Sequence, residues 1–152
     1  MHSVLILLHL AGVVVWVGGM FFVHFCLRPV AAQQLPPGPR LQLMTAVLGR
    51  FFMVVALSVL AILASGFARM LFVGMAQAPV HWHVMAALGL LMAVIFSVIY
   101  LLLYPKLRVR VAAEDWPSAG AVLNRIRPLV ATNLLLGVLT IAVATLGAGL
   151  AG

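Results

Sequence analysis

From Ser3 to Leu27 the chain carries no acidic, lysine or arginine side chain, and almost every residue in the stretch is apolar. About 25 such residues suffice to cross a bilayer core as a helix, which takes roughly 20. A helix is the only solution open to a single segment there, because it satisfies its own backbone N–H and C=O groups. The same reading yields three more spans, near 45–73, 80–104 and 117–150. With 66% of residues hydrophobic and 7% charged, the chain lies far from soluble domains, where about a quarter of residues are charged. The expected fold class is an all-α integral membrane protein, a four-transmembrane-helix bundle in which 1–152 form a single membrane domain.

Local signals place the ends of the spans. No basic region precedes the first run, and Arg28 follows it, so the run reads as a membrane helix and not as a cleaved leader. Pro36, Pro37 and Pro39 are expected to hold the next segment as a linker until Thr45 or Arg50. Gly74 and Pro79 mark a tight turn, Pro105 is expected to stop the third helix near Tyr104, and Asp115 before Trp116-Pro117 has the form of an N-cap for the fourth. Eight of the nine basic residues, all but Arg69, fall in or beside the first and third connections. The positive-inside rule then turns both termini and the 74–79 turn outward, into the periplasm if the membrane is a bacterial inner membrane. Basic residues in such places set topology, so the net charge of +7 implies no nucleic-acid partner. A lone cysteine, Cys26, excludes an intrachain disulfide.

Helical spacing groups the polar and small residues. His9 and Trp16 are superimposed at seven-residue spacing, with Gly12, Gly19, Met20 and His24 close to the same line. The second span offers Ser58, Ser65 and Arg69, the third His83, Ala86, Leu90, Ala93, Ser97 and Tyr104, and the fourth Asn133, Gly137, Thr140, Ala144 and Gly147. Such stripes face other helices in lipid, within one chain or across a homo-oligomer. An ionisable side chain inside a span is a functional hypothesis in itself. His9 and His83, at similar depth in the outer leaflet, are candidate ligands for haem iron or a copper ion. Gly12 and Gly19 would leave room for a flat macrocycle beside Trp16, and Arg69 would pair with a propionate or snorkel to the interface. His81, Met75 and Met85 add soft ligands around the outward turn, and His24, Cys26 and Met20 form a weaker second set near the cytoplasmic side. Glu114 and Asp115, the only acids, lie outside the spans, which disfavours carboxylate acid–base catalysis. A packing role remains open, with His9 bonded to Asn133 or to a backbone carbonyl.

The pattern Leu8-His9, Trp16-Val17-Gly18-Gly19-Met20-Phe21-Phe22 and Leu27-Arg28-Pro29, with Asn133-Leu134-Leu135-Leu136-Gly137 and Leu146-Gly147 at the end, resembles the copper resistance protein D (CopD) family in its short form. That resemblance implies copper uptake or resistance. The first helix is also similar to HemJ-type membrane protoporphyrinogen oxidases, which bind haem b through a first-helix histidine. In the segment Trp82-His83-Val84-Met85, Met85 stands where that family has a lysine, so the oxidase activity is not carried over. Three readings stand: a haem b or copper protein with a redox or copper-handling role, a copper permease, and an assembly subunit with packing histidines.

Overall fold

A computed structural model describes the backbone of residues 2–150 and the side chains of 3–147. Six α-helices follow one another: α1 (His2–Phe22), α2 (Arg28–Gln34), α3 (Pro37–Val73), α4 (Val80–Val98), α5 (Tyr104–Ala112) and α6 (Trp116–Leu150). Single π-helical turns at Val23–Leu27 and Ile99–Leu103 join α1 to α2 and α4 to α5. Four continuous helical rods therefore cross the bilayer, and the described residues contain no strand. Their outer surface is studded with exposed leucine, valine and phenylalanine, as lipid contact requires.

Two expected breaks are absent, and both involve proline. Pro105 does not end the third rod. The π turn before it leaves the helix one residue wider where the proline ring would strike a carbonyl and where its missing N–H would leave a gap, and the rod continues to Ala112. The first rod passes Pro29 in the same way and ends at Gln34. Nor do Pro37 and Pro39 form a linker: they occupy the first turn of α3, where no intrahelical N–H bond is lost. The connection shrinks to Leu35-Pro36. At 1.5 Å per residue α3 is roughly 55 Å long, well beyond a bilayer core of about 30 Å. The excess stands with α2, α5 and the start of α6 at the end that carries eight of the nine cations.

Asp115 behaves as read. Its carboxylate accepts the Ser118 backbone N–H at 3.2 Å and capping α6, while its second oxygen takes Arg110 at 3.2 Å. These side-chain and backbone bonds from Ser118, with Arg110 beside them, hold the carboxyl below its usual pKa. Glu114, at φ 55°, turns the chain between α5 and α6.

The second half of the chain repeats the first. The two π turns are 76 positions apart, as are Arg28-Pro29 and Tyr104-Pro105. At that offset Trp16, Met20, Val23 and Ala31 coincide with Met92, Phe96, Ile99 and Leu107, and all eight are buried. At an offset of 78, Leu41, Leu48, Phe52 and Val55 of α3 coincide with Ala119, Ile126, Val130 and Asn133 of α6, again all buried. Each half is a helical hairpin, and the hairpins dock reciprocally, α1 on α6 and α4 on α3. The repeat gives His9 a counterpart at Met85.

Small residues set the separations inside this bundle. A Cβ on Gly12 would lie 2.8 Å from Ile62 Cγ1, one on Gly137 2.9 Å from Val17 Cγ2, and one on Gly19 would run into the Phe51 ring. The small residues of α1 and α6 are thus taken up between helices of one chain, and the space expected at Gly12 and Gly19 for a macrocycle is filled by α3. In the basic half, Trp16, Phe52, Phe96, Tyr100 and Tyr104 form a continuous aromatic stack, with Trp16 edge-on to Phe96 at 6.2 Å. Asn133 donates to the Met92 carbonyl at 3.1 Å, tying α6 to α4; such interhelical bonds contribute about 0.6 kcal/mol on average in a bilayer.

Candidate functional site

Above the aromatic stack the helices part around a cavity of about 400 Å³, within the range of small-molecule sites. Trp16, 4% exposed, forms its floor. All four rods contribute to the wall: His9 and Val13 from α1, Gly66, Arg69 and Met70 from α3, His81, Met85 and Met92 from α4, and Thr140 and Ala144 from α6. The lining is apolar except for two imidazoles, one guanidinium and threonine hydroxyls.

The best-defined group is His9. Its Nδ1 lies 3.1 Å from the Ile62 carbonyl and 3.1 Å from Ser65 Oγ. Ser65 directs its single proton to the Ala61 carbonyl one turn back, and a carbonyl can only accept, so Nδ1 faces two acceptors and carries the proton. In the neutral ring Nε2 is then the unprotonated nitrogen, and it has no hydrogen bond to any described residue. A ring anchored through one N–H to a backbone carbonyl, with its other nitrogen free, is the usual posture of a histidine ligand. Gly66 lies beside the ring, where an added Cβ would stand 3.4 Å from His9 Cε1, in ordinary contact. Of the two packing partners expected for His9, the backbone carbonyl is found and Asn133 is not.

Arg69 also turns inward. Its guanidinium lies over the Trp82 ring at 4.7 Å, and Nε is buried without a hydrogen-bond partner among the described residues. The flat indole surface holds the side chain at the border of the cavity.

His83 is not brought to His9. It is exposed, outside the cavity, and its Nε2–H donates to the Met75 carbonyl at 3.1 Å, closing the 74–79 turn. The inward face of α4 is the one bearing His81, Met85, Met92 and Phe96, and the expected face through His83, Leu90 and Ser97 points to lipid. Ser97 survives there because its hydroxyl donates to the Ala93 carbonyl at 2.8 Å. The histidine in the cavity is His81, whose ring base packs on Gly147, where a Cβ would lie 2.6 Å from His81 Cβ. Met75 is exposed on the turn. A haem b clamped between His9 and His83 does not fit this arrangement: the second ligand faces away and the glycine notches are occupied.

The weaker set is dispersed. Met20 is in the core, Cys26 is exposed, and His24 sits in a shallow surface depression with Phe25, Arg28, Pro29 and Ala32. The aromatic stack separates all of them from the cavity. Among the described residues no three His, Cys, Asp or Glu side chains converge, so a cage for a harder metal is not assembled. Met92 escaped the sequence reading; its signal is the repeat, which aligns it with Trp16.

Fold and cavity define a polytopic α-helical membrane protein with one small, mostly apolar chamber among its four rods, in the half of the bundle away from the basic connections. A family model described as Copper resistance protein D matches residues 45–146, about two thirds of the chain. The chain belongs to that family. The match spans α3 to α6, so His9 and the rest of α1 lie outside the matched segment. No curated protein and no solved structure matches the chain.

Proposed function

We propose that the chain handles copper, taking up Cu(I) in the chamber with His9 Nε2 as the anchoring ligand and Met85 Sδ as its partner. The carrying observation is the Nδ1 anchor to Ile62 and Ser65, which presents Nε2 as a fixed lone pair to a chamber also bordered by Met70, Met85 and Met92. Imidazole and thioether suit Cu(I), which accepts low coordination numbers and needs no carboxylate. The repeat supports the pairing, because His9 and Met85 occupy equivalent positions on α1 and α4 and both border the chamber. Arg69 opposes a bare cation there, so an ion in the chamber needs an accompanying negative charge. Orientation follows from the basic end: cytoplasmic connections, and a chamber open to the outer leaflet of a bacterial inner membrane. Copper reaching the chamber would come from outside, and passage beyond it would require the aromatic stack under Trp16 to part.

Purified protein in neutral detergent, titrated with Cu(I) against a chromophoric chelator, tests the reading. One equivalent should bind, and His9→Ala should weaken binding at least tenfold while Met85→Leu weakens it less. Equal binding by wild type and His9→Ala, with both folded, would overturn it.

A further inference from the structure

Among the described residues Arg69 makes no ion pair. The only side-chain carboxylates are Glu114 and Asp115, at the turn that opens α6, whereas Arg69 shares the chamber with His81, which packs on Gly147 near the other end of α6. Roughly 45 Å of helix separates those two levels at 1.5 Å per residue. Arg69 is half-buried, and its Nε is withdrawn from water, which is costly for a donor on a charged group unless it is hydrogen-bonded. Stacking on Trp82 offsets part of that cost, but Nε remains buried with no partner among the described residues. The repeat shows that the fold does not need a cation here, for the position equivalent to Arg69 at the α6 offset of 78 is Gly147. Arg69 is the charged departure from the repeat, and it faces the chamber.

We propose that the chamber binds an amphipathic anion, its acid group on the Arg69 guanidinium and its apolar body against Phe67 and Trp16. Guanidinium recognises carboxylate and phosphate alike through paired N–H donors. Two sources share that chemistry, a free long-chain carboxylate and the phosphate of a bilayer lipid. The chamber below is too apolar for a small hydrated anion to fill, and it lies at lipid depth. The proposal rests on Arg69 and the chamber, and it stands or falls separately from copper binding.

Trp16 and Trp82 border the chamber while Trp116 begins α6 at the opposite end, so Trp116→Phe leaves a protein whose fluorescence reports the chamber alone. In a neutral maltoside detergent, a bromine-tipped undecanoate should quench it saturably, and its methyl ester should not. Arg69→Gln should weaken the acid's apparent affinity about tenfold or more, as loss of a charged hydrogen bond implies, and Arg69→Lys should retain part of it. Saturable quenching by a brominated phosphatidylglycerol with the same Arg69 dependence, and none by the free acid, would assign the anion to a bilayer lipid. Equal quenching by acid and ester, or no saturable quenching by any of the three probes, overturns the proposal. Should Arg69→Gln fail to fold, the acid–ester comparison on the Trp116→Phe protein and the Arg69→Lys variant still decide it.

Discussion

The imidazole of His9 is held by α3: Nδ1 donates between the Ile62 carbonyl and Ser65 Oγ, each at 3.1 Å. The orientation of the candidate ligand on α1 is therefore a property of its contact with α3. Ser65→Ala removes one acceptor and leaves the other. Cu(I) affinity should fall by roughly three- to tenfold, toward the low end of effects seen for groups that orient a ligand, with thermal stability little changed. A chelator competition titration on the variant beside His9→Ala checks the order, and Ser65→Ala exceeding His9→Ala would contradict it.

Gly12 shows how close α1 and α3 must come for that bond to form. Gly12→Val places methyl groups against Ile62 Cγ1 and the Ser58 carbonyl, which already stand 2.8 and 3.1 Å from an added Cβ. The expected cost is about 1–3 kcal/mol, typical of overpacking. It reads out as a lower unfolding temperature in detergent and as weaker copper binding, because the Ile62 carbonyl moves away from His9. Gly18, which meets nothing within 4 Å of an added Cβ, provides the control: Gly18→Ala should be neutral or slightly stabilising.

Much of this was legible in the chain. Four spans, the Asp115 cap, the inward stripes of α1, α3 and α6, and His9 follow from apolar length and spacing, because lipid forces helices and small or polar residues mark their contacts. Proline misled twice. The rule that proline ends a helix assumes regular i to i−4 bonding, which the π turn before Pro105 removes, and it does not apply in a first turn, where Pro37 and Pro39 stand. His83 misled for a different reason. An imidazole near a helix start can satisfy itself on the preceding turn, as it does on Met75, so polarity alone did not fix the inward face of α4. Buried Met92 and Phe96 fix it, and the paired motifs Leu27-Arg28-Pro29 and Leu103-Tyr104-Pro105 were the signal that aligns them with Trp16 and Met20.

Acid tests the cap at the basic end. The folded Asp115 carboxyl titrates below its ordinary value of 3.8 because Ser118 and then Arg110 favour its charged form. Its stabilisation is therefore fully present above the unfolded value and is lost as pH falls through the folded one. Asp115→Ser keeps a cap but no charge, so the wild type should lose its stability advantage over this variant on acidification below about pH 4. Parallel unfolding curves for the two proteins across that range would count against the assignment.

Orientation is open to chemical labelling. In a Cys26→Ser background, Gln77→Cys lies on the exposed 74–79 turn and Asn124→Cys on the exposed basic end of α6. A membrane-impermeant maleimide added to intact cells should label the first and spare the second until the membrane is opened. The reverse pattern would invert the bundle and move the chamber to the cytoplasmic leaflet.

The central claim is that His9 Nε2 holds copper together with a thioether, and X-ray absorption at the copper edge of the Cu(I)-loaded protein tests it most directly. The account predicts one imidazole nitrogen and at least one sulfur scatterer, with the imidazole signal lost in His9→Ala and the sulfur signal reduced in Met85→Leu. Copper with an unchanged imidazole signal in His9→Ala, or with no sulfur neighbour in the wild type, would contradict it.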